Sequence, residues 1–339
     1  MTRRGFLSIT AFTGAGLAFG FHQRTHEAMT AYLRSARRLE EEIIVGFDVG
    51  TSKICAAVAK VRSDGIISIM GMGRAPSRGV RRGQIVDFEW ARNSVMNALV
   101  NAEMMNNVMI QNVYLGSVAP IKDAVRCLKE VPVAVDDVVL NPLASAKAVL
   151  DADQKNLGAL VIDIGGGSTD YLVYMDGAVR QSGSVALGGD PISREIASCF
   201  GIPPWRAERL KIEEGSVTLG ATLPGKIVTL KSDGGFPPRE VERETLNSII
   251  QIRTRQMLEC VKSRLDISGV PLNSLGAGVQ LTGGCSLLRG IDELARQVFG
   301  IPAYRARVKG VSGPASILEN PRYSCAIGLV KHSYENIFG

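Results

Sequence analysis

Histidine is scarce in this chain. There are three in 339 residues, and His22, His26 and His332 all lie near the chain ends. A histidine-based triad or a histidine metal centre in the core is thereby excluded. The six cysteines, Cys55, Cys127, Cys199, Cys260, Cys285 and Cys325, are scattered, with no C-x-x-C among them. That spread points to reduced core thiols and away from a zinc site or a redox motif. There is no G-x-x-x-x-G-K-[ST], and no G-x-G-x-x-G opens a helix, so neither a Walker A loop nor a dinucleotide fingerprint is present. Long apolar runs are also lacking. The uncharged stretch Gly5 to Phe21 is short for a membrane span and rich in Gly, Ser and Thr. The net charge of +6 is unevenly placed: residues 1–38 carry Arg3, Arg4, Arg24, Arg34, Arg37 and Arg38 against Glu27 alone. The remainder is close to neutral, which argues against a nucleic-acid-binding body.

What the chain does contain is ordinary apolar content and abundant glycine, enough sequence for two domains of globular α/β type. From Glu42 the pattern becomes strand-rich. Ile43 to Phe47 is a buried-strand run ending in Asp48, followed by strand patterns at Ile54 to Lys60 and Ile66 to Met72 with a turn at Ser63-Asp64-Gly65. Asp87 is placed to cap a helix running to Met105. A strand at Val113 to Gly116, a helix at Ile121 to Glu130, a strand at Val138 to Leu140 and a small-residue helix at Ala144 to Leu150 follow. The pattern then restarts: Leu160 to Asp163, a glycine turn, strands at Tyr171 to Tyr174 and Val179 to Val185, and helices at Ile192 to Phe200 and Trp205 to Glu214. Beyond a Gly- and Pro-containing stretch with a β-like Lys226 to Leu230, the spacing predicts a long helix over Arg243 to Leu265. A strand at Val279 to Leu281 and helices at Ser286 to Phe299 and Ala326 to Tyr334 complete the chain. Strand, Asp, glycine turn, strand, strand, helix occurs twice, and such a duplication predicts two lobes facing a cleft.

Four motifs carry chemistry. In Asp48-Val49-Gly50-Thr51-Ser52-Lys53, Gly50 permits close backbone approach to a phosphate, Thr51 and Ser52 add hydroxyls, and Lys53 adds charge. Asp48 can hold Mg²⁺ through water, because that ion keeps much of its hydration shell. Taken alone the motif is also compatible with a plain polar hairpin. In Asp163-Ile164-Gly165-Gly166-Gly167-Ser168-Thr169-Asp170, three consecutive glycines cost conformational entropy and imply close contact with a phosphate. Asp163 mirrors Asp48, so the two turns together can clamp one Mg-nucleotide. Glu208 and Lys211 share one helix face, a spacing common to surface ion pairs. In Leu281-Thr282-Gly283-Gly284-Cys285-Ser286 a strand is expected to enter a helix through paired glycines, a turn suited to a nucleoside or phosphate, or to no ligand at all.

These pieces stand in the order seen in the actin, heat-shock-70 and sugar-kinase superfamily. Within it the chain resembles the bacterial cell-division family FtsA. The likeness runs from about Ile43 to Leu329 and rests on Val45 to Lys53, Pro76 to Gly79, Leu143 to Ser145, Val161 to Asp170, Phe200 to Pro204, Pro237 to Arg239, Arg243 with Thr245-Leu246, Ile252-Arg253 and Leu281 to Gly284. The resemblance implies an actin-like, ribonuclease-H-like duplicated α/β fold with ATP and Mg²⁺ as cofactors. Gly50, Thr51, Ser52, Lys53, Gly165, Gly166, Gly167, Ser168 and Thr169 would lie around the phosphates, with Asp48 and Asp163 serving the metal. Glu208, Lys211, Gly283 and Gly284 would hold the ribose or adenine side. It further implies an extension over residues 1–42, a first lobe over 43–156, and a second lobe over 157–339 with an insertion at about 211–268 that grips the tail of the ring protein FtsZ. Arg239 and Arg253 are the candidates there for an acidic peptide. The family's inserted 1C subdomain is missing, since Val118-Ala119-Pro120 leads almost directly into the next helix, and this weakens any expectation of self-association. The resemblance would also lead one to expect a basic amphipathic membrane helix at the end, and Val330 to Gly339, with Glu335, shows no such stripe.

The function so implied is an ATP-binding scaffold linking FtsZ to the inner face of the cell membrane, with slow hydrolysis if any. A pilus-assembly scaffold of the PilM type and a small-molecule kinase share the fold and remain alternatives. For residues 1–21, a membrane tether, an extension without a structural role and a twin-arginine export signal all stay open.

Overall fold

The computed structural model describes residues 42–62, 65–117, 121–131, 133–218 and 225–338. The expectations for residues 1–41, for the turn residues Ser63 and Asp64 and for Val118-Ala119-Pro120 lie outside them. The first lobe opens with strands β1 (Glu42–Val49), β2 (Lys53–Val61) and β3 (Ile67–Pro76), then a small hairpin of β4 (Val80–Arg81) and β5 (Gln84–Ile85). Helix α1 (Phe88–Asn106) starts where Asp87 accepts the backbone N–H of Trp90, the predicted N-cap. Strand β6 (Asn112–Ser117), helix α2 (Ile121–Lys129), strand β7 (Ala134–Leu140), and helices α3 (Asn141–Val149) and α4 (Ala152–Leu157) follow. Three residues separate β6 from α2.

The second lobe repeats the plan. It holds β8 (Ala159–Ile164), β9 (Thr169–Met175), β10 (Ala178–Val185), α5 (Gly189–Phe200) and α6 (Pro204–Glu214). A two-stranded sheet of β11 (Ile227–Leu230) and β12 (Arg239–Glu242) precedes the long helix α7 (Arg243–Ile267). Strand β13 (Val279–Thr282), helix α8 (Ile291–Phe299), strand β14 (Ala303–Arg305) and helices α9 (Ala315–Leu318) and α10 (Ser324–Phe338) complete it. The two large sheets have the orders β3-β2-β1-β6-β7 and β10-β9-β8-β13-β14. In each, the first three strands are antiparallel and the last two join in parallel. The duplication read from the sequence is therefore a duplication of topology, and the actin-like α/β fold is the one found.

Apolar side chains explain the layering. Phe47, Ile54, Val58, Val95, Leu99 and Leu115 close one core between the first sheet and α1–α2, and Ile162, Ile192, Leu258, Leu281 and Leu294 belong to the larger core of the second lobe. Two helices tie the lobes. The last, α10, returns to the first sheet, where Ala326, Ile327 and Val330 pack with Ile44, Cys55 and Ile69, a crossing that a linear division into lobes does not convey. Helix α3 packs against the second sheet through Ala146, Ala148 and Val149. The two helices touch where a methyl group on Gly328 would lie 1.7 Å from the Ala144 carbonyl oxygen, so only glycine allows this approach.

One expected helix is corrected. Ser286 to Phe299 is not continuous: Gly284–Leu287 form a single 3-10 turn, Gly290 takes φ +80, and α8 starts only at Ile291. The left-handed Gly290 breaks the periodic run. Hence Gly283 and Gly284 do not sit at an α-helix N-terminus as their spacing suggested.

Candidate functional site

Both glycine turns close in the same way. Gly50 N–H donates to the Lys53 carbonyl (3.1 Å), and Gly165 N–H donates to the Ser168 carbonyl (2.9 Å). β1 and β8 are the central strands of their sheets, so each turn sits at the middle of its lobe's edge. The lobes bring them into contact. A methyl group on Gly167 would stand 2.5 Å from Thr51 Oγ1, and one on Gly166 would stand 3.1 Å from Ser52 Cβ and 2.8 Å from Asp190 Oδ1. Gly166 and Gly167 are thus required by close approach, while the first turn supplies side chains that approach. Thr51 Oγ1 also accepts the Gly83 N–H from the β4–β5 hairpin at 2.8 Å, leaving its hydroxyl hydrogen to donate elsewhere.

A cavity of about 340 Å³ opens between the lobes, within the usual range for a small-molecule site. Asp48, Gly50, Thr51, Ser52, Lys53, Asp163, Gly165, Gly166, Gly167 and Ser168 line it, as do Glu208, Lys211, Gly283 and Gly284. Of the residues expected around the ligand, Thr169 alone is absent from the wall. It is fully buried beneath it, donating its hydroxyl to the Leu187 carbonyl at 2.8 Å. Lys53 is held by the Arg322 carbonyl (2.6 Å) and lies over the Tyr323 ring at 5.4 Å. Glu208 and Lys211 form more than a surface pair: buried Lys211 donates to Glu208 (2.6 Å), to the Gly189 carbonyl (3.0 Å) and to Ser193 Oγ (2.9 Å). Arg239 and Arg253 lie away from the cavity. Arg253 pairs with Glu195 on α5, and Arg239 lies beside Gly201 at the end of that helix.

The acids are unusual in their burial. Asp163 accepts the Ser145 hydroxyl from α3, yet burial, joined by the nearby Asp48 charge, pushes its carboxyl up to about 6. Burial raises Asp48 against the pull of Lys53. Asp170 is pushed up to about 7, again chiefly by burial. Buried oxygens of Asp48, Asp170 and Asn141 have no hydrogen-bond partner. Such orphaned acceptors cost free energy unless water or a cation meets them. Among the described residues no cluster of three His, Cys, Asp or Glu side chains is arranged for direct chelation. The donor set therefore fits a hydrated, oxygen-loving cation held through water and does not fit a chelated transition metal.

Several wall residues were missed from the sequence. Gly189 and Asp190 fold onto the triple glycine, their N–H groups donating to the Gly165 and Gly166 carbonyls (3.0 and 2.8 Å). The Gly-Gly-Asp opening of α5 was a signal available for them. Asn141, at the start of α3, was detectable only through its place after a strand. Ile212, Leu287 and Leu288 supply apolar wall and carry no sequence signature.

The family model "Cell division protein FtsA" matches residues 160–328. The chain is 27% identical over 375 residues to the Pseudomonas aeruginosa cell division protein FtsA, covering 87% of this chain and 90% of that one. It is 28% identical over 372 residues to the Neisseria meningitidis protein of the same name, covering 86% and 90%. These alignments are longer than this whole chain, so the relatives carry internal residues that have no counterpart here. Among solved structures, MreB5 of Spiroplasma citri bound to ADP superposes with a TM-score of 0.63 at 18% identity, covering 88% of this chain and 97% of that one.

Proposed function

This chain is a relative of the FtsA cell-division proteins, and we propose that it is an ATP-binding, actin-like division scaffold that links FtsZ to the inner face of the cell membrane. The observation that carries the nucleotide reading is the convergence of both glycine turns, both acids and the Glu208–Lys211 pair on one cavity. Backbone N–H groups of the turns, with Thr51 and Ser52, are suited to phosphate oxygens. Ile212, Leu287 and Leu288 offer an apolar surface for a base, and Glu208 with Lys211 a polar edge for the ribose. When bound, Mg²⁺ would neutralise phosphate charge, with Asp48 and Asp163 holding its water shell. Hydrolysis, if any, is expected to be slow.

The partner reading rests on kinship and on exposed charge. Arg239 and Arg253 flank α5 and offer guanidinium groups to an acidic peptide, with Glu195 as the carboxylate the peptide would displace from Arg253. Among the described residues no helix is long and apolar enough to cross a membrane. Attachment would then fall to residues 1–21. Pull-down of the full chain on an FtsZ tail peptide tests the partner: capture that survives Arg239→Ala/Arg253→Ala unchanged removes these residues from the interface, and no capture removes the FtsZ reading. A fluorescent fusion that keeps its membrane localisation without residues 1–21 removes the tether.

A further inference from the structure

Helix α3, strand β9 and helix α10 each have one end at the cavity, marked by Asn141, Asp170 and Cys325. Lys147, Tyr174 and Lys331 lie farther along the same elements, roughly 9 Å on for the helices and roughly 13 Å for the strand. There the two lobes meet again. Lys309 N–H donates to the Ala148 carbonyl at the end of α3 (2.9 Å), and Lys331 Nζ donates to the Lys309 carbonyl (3.1 Å). Four half-buried lysines, Lys147, Lys155, Lys309 and Lys331, converge from α3, α4, the segment after β14 and α10.

Two of them are neutralised locally. Lys147 pairs with Glu335, and Lys309 with Asp151 (2.7 Å) and with Gln154 Oε1 (2.7 Å). Lys155 and Lys331 form no salt bridge among the described residues. Lys155 lies over the Tyr174 ring at 5.5 Å, and Glu335 is the acid nearest in influence to Lys331. Burial first, then Lys155, Lys147 and Lys309, hold the Lys331 ammonium down to about 8. Half-buried like charges with spare N–H donors are costly unless an anion joins them.

We propose that this lysine cluster is a second binding site, for a phosphate-bearing anion, distinct from the cavity between the glycine turns. An ammonium group is a point charge that suits phosphate, and the open donors of Lys155 and Lys331 would point-charge-pair with its oxygens while Lys147 and Lys309 add to the field. The anion is either free in solution or the headgroup of a lipid, and the chemistry of recognition is the same.

The test is calorimetric titration of the full chain with inorganic pyrophosphate in magnesium-free buffer. The wild type is compared with the double variant Lys155→Met/Lys331→Met and with Gly167→Val, which obstructs the cleft. Methionine keeps the apolar stem and removes buried charge, so an unchanged or raised melting temperature confirms folding of the double variant. The expected result is one class of pyrophosphate binding weakened at least tenfold in the double variant and retained in Gly167→Val. A parallel arm measures sedimentation with phosphatidylcholine vesicles with and without phosphatidic acid. Loss of phosphatidic-acid-dependent binding in the double variant assigns the phosphate to a lipid, and loss confined to pyrophosphate assigns it to a free anion. Indistinguishable behaviour of wild type and double variant in both arms overturns the proposal. The outcome in Gly167→Val bears separately on the nucleotide reading.

Discussion

The two glycine turns share a closing hydrogen bond and a position at the centre of matching sheets, yet they are built from different materials. The first, Gly50 to Lys53, has a single glycine and three polar side chains; the second, Gly165 to Ser168, has three glycines and almost no side chain. Contact across the cleft explains the asymmetry. Thr51 and Ser52 occupy the space that side chains at Gly167 and Gly166 would need. One lobe contributes hydroxyls and charge, the other bare backbone, and each turn is shaped by its neighbour as much as by any ligand.

The largest expected effect comes from filling that contact. Gly167→Val would drive a branched side chain into Thr51 where the two turns touch, and we expect Mg-ATP affinity to fall by about 100-fold or more with the circular dichroism spectrum unchanged. Gly165→Ala should be much milder, because its added methyl would meet only the Ser168 carbonyl, at 3.2 Å. Equal losses for the two would show that the glycines serve the chain's own turn rather than the approach of Thr51. On the first turn, Thr51→Val deletes the hydroxyl that accepts the Gly83 N–H. The Thr51 hydroxyl hydrogen is free for a phosphate oxygen, and losing one such ligand bond is worth ~1 kcal/mol, so roughly fivefold weaker binding is expected in the same titration.

The acids give a smaller effect with a definite sign. Asp170 is held up to about 7, above its unfolded value of 3.8, so the folded state favours the protonated form. Its contribution to stability is present in full below the unfolded value and is lost as pH rises through about 7. The nucleotide-free protein should melt lower at pH 8 than at pH 5.5, and Asp170→Asn should flatten that dependence. The variant should gain on the order of 1–2 kcal/mol over wild type at pH 8. An unchanged pH profile in Asp170→Asn would remove burial of this carboxyl as its cause.

Much of this was legible in the sequence because the signals are local. A strand ending in Asp before a glycine turn can be read from consecutive residues, and its recurrence at Asp48 and Asp163 exposes the duplication. Helix α1 was legible through Asp87 and its apolar spacing. The rest depends on contacts distant in sequence. Nothing local shows that Gly328 meets Ala144 or that α10 closes the first lobe's core. Glu208 and Lys211 looked like a surface pair because helical spacing is silent on depth, whereas Gly189 and Ser193 bury the lysine. The resemblance implies phosphate contact for Thr169, whereas strand alternation turns its buried hydroxyl inward to the Leu187 carbonyl. The break before α8 was missed because the apolar residues on either side of Gly290 keep a helix-like period.

One measurement bears most directly on the clamp: calorimetric titration of ATP into wild type, Asp48→Asn and Asp163→Asn, each with and without Mg²⁺. Tight magnesium-dependent binding by the wild type and loss of the magnesium enhancement in both variants are expected, since acids from opposite lobes would serve one ion. Binding that ignores magnesium, or that needs only one of the two aspartates, would contradict the clamp.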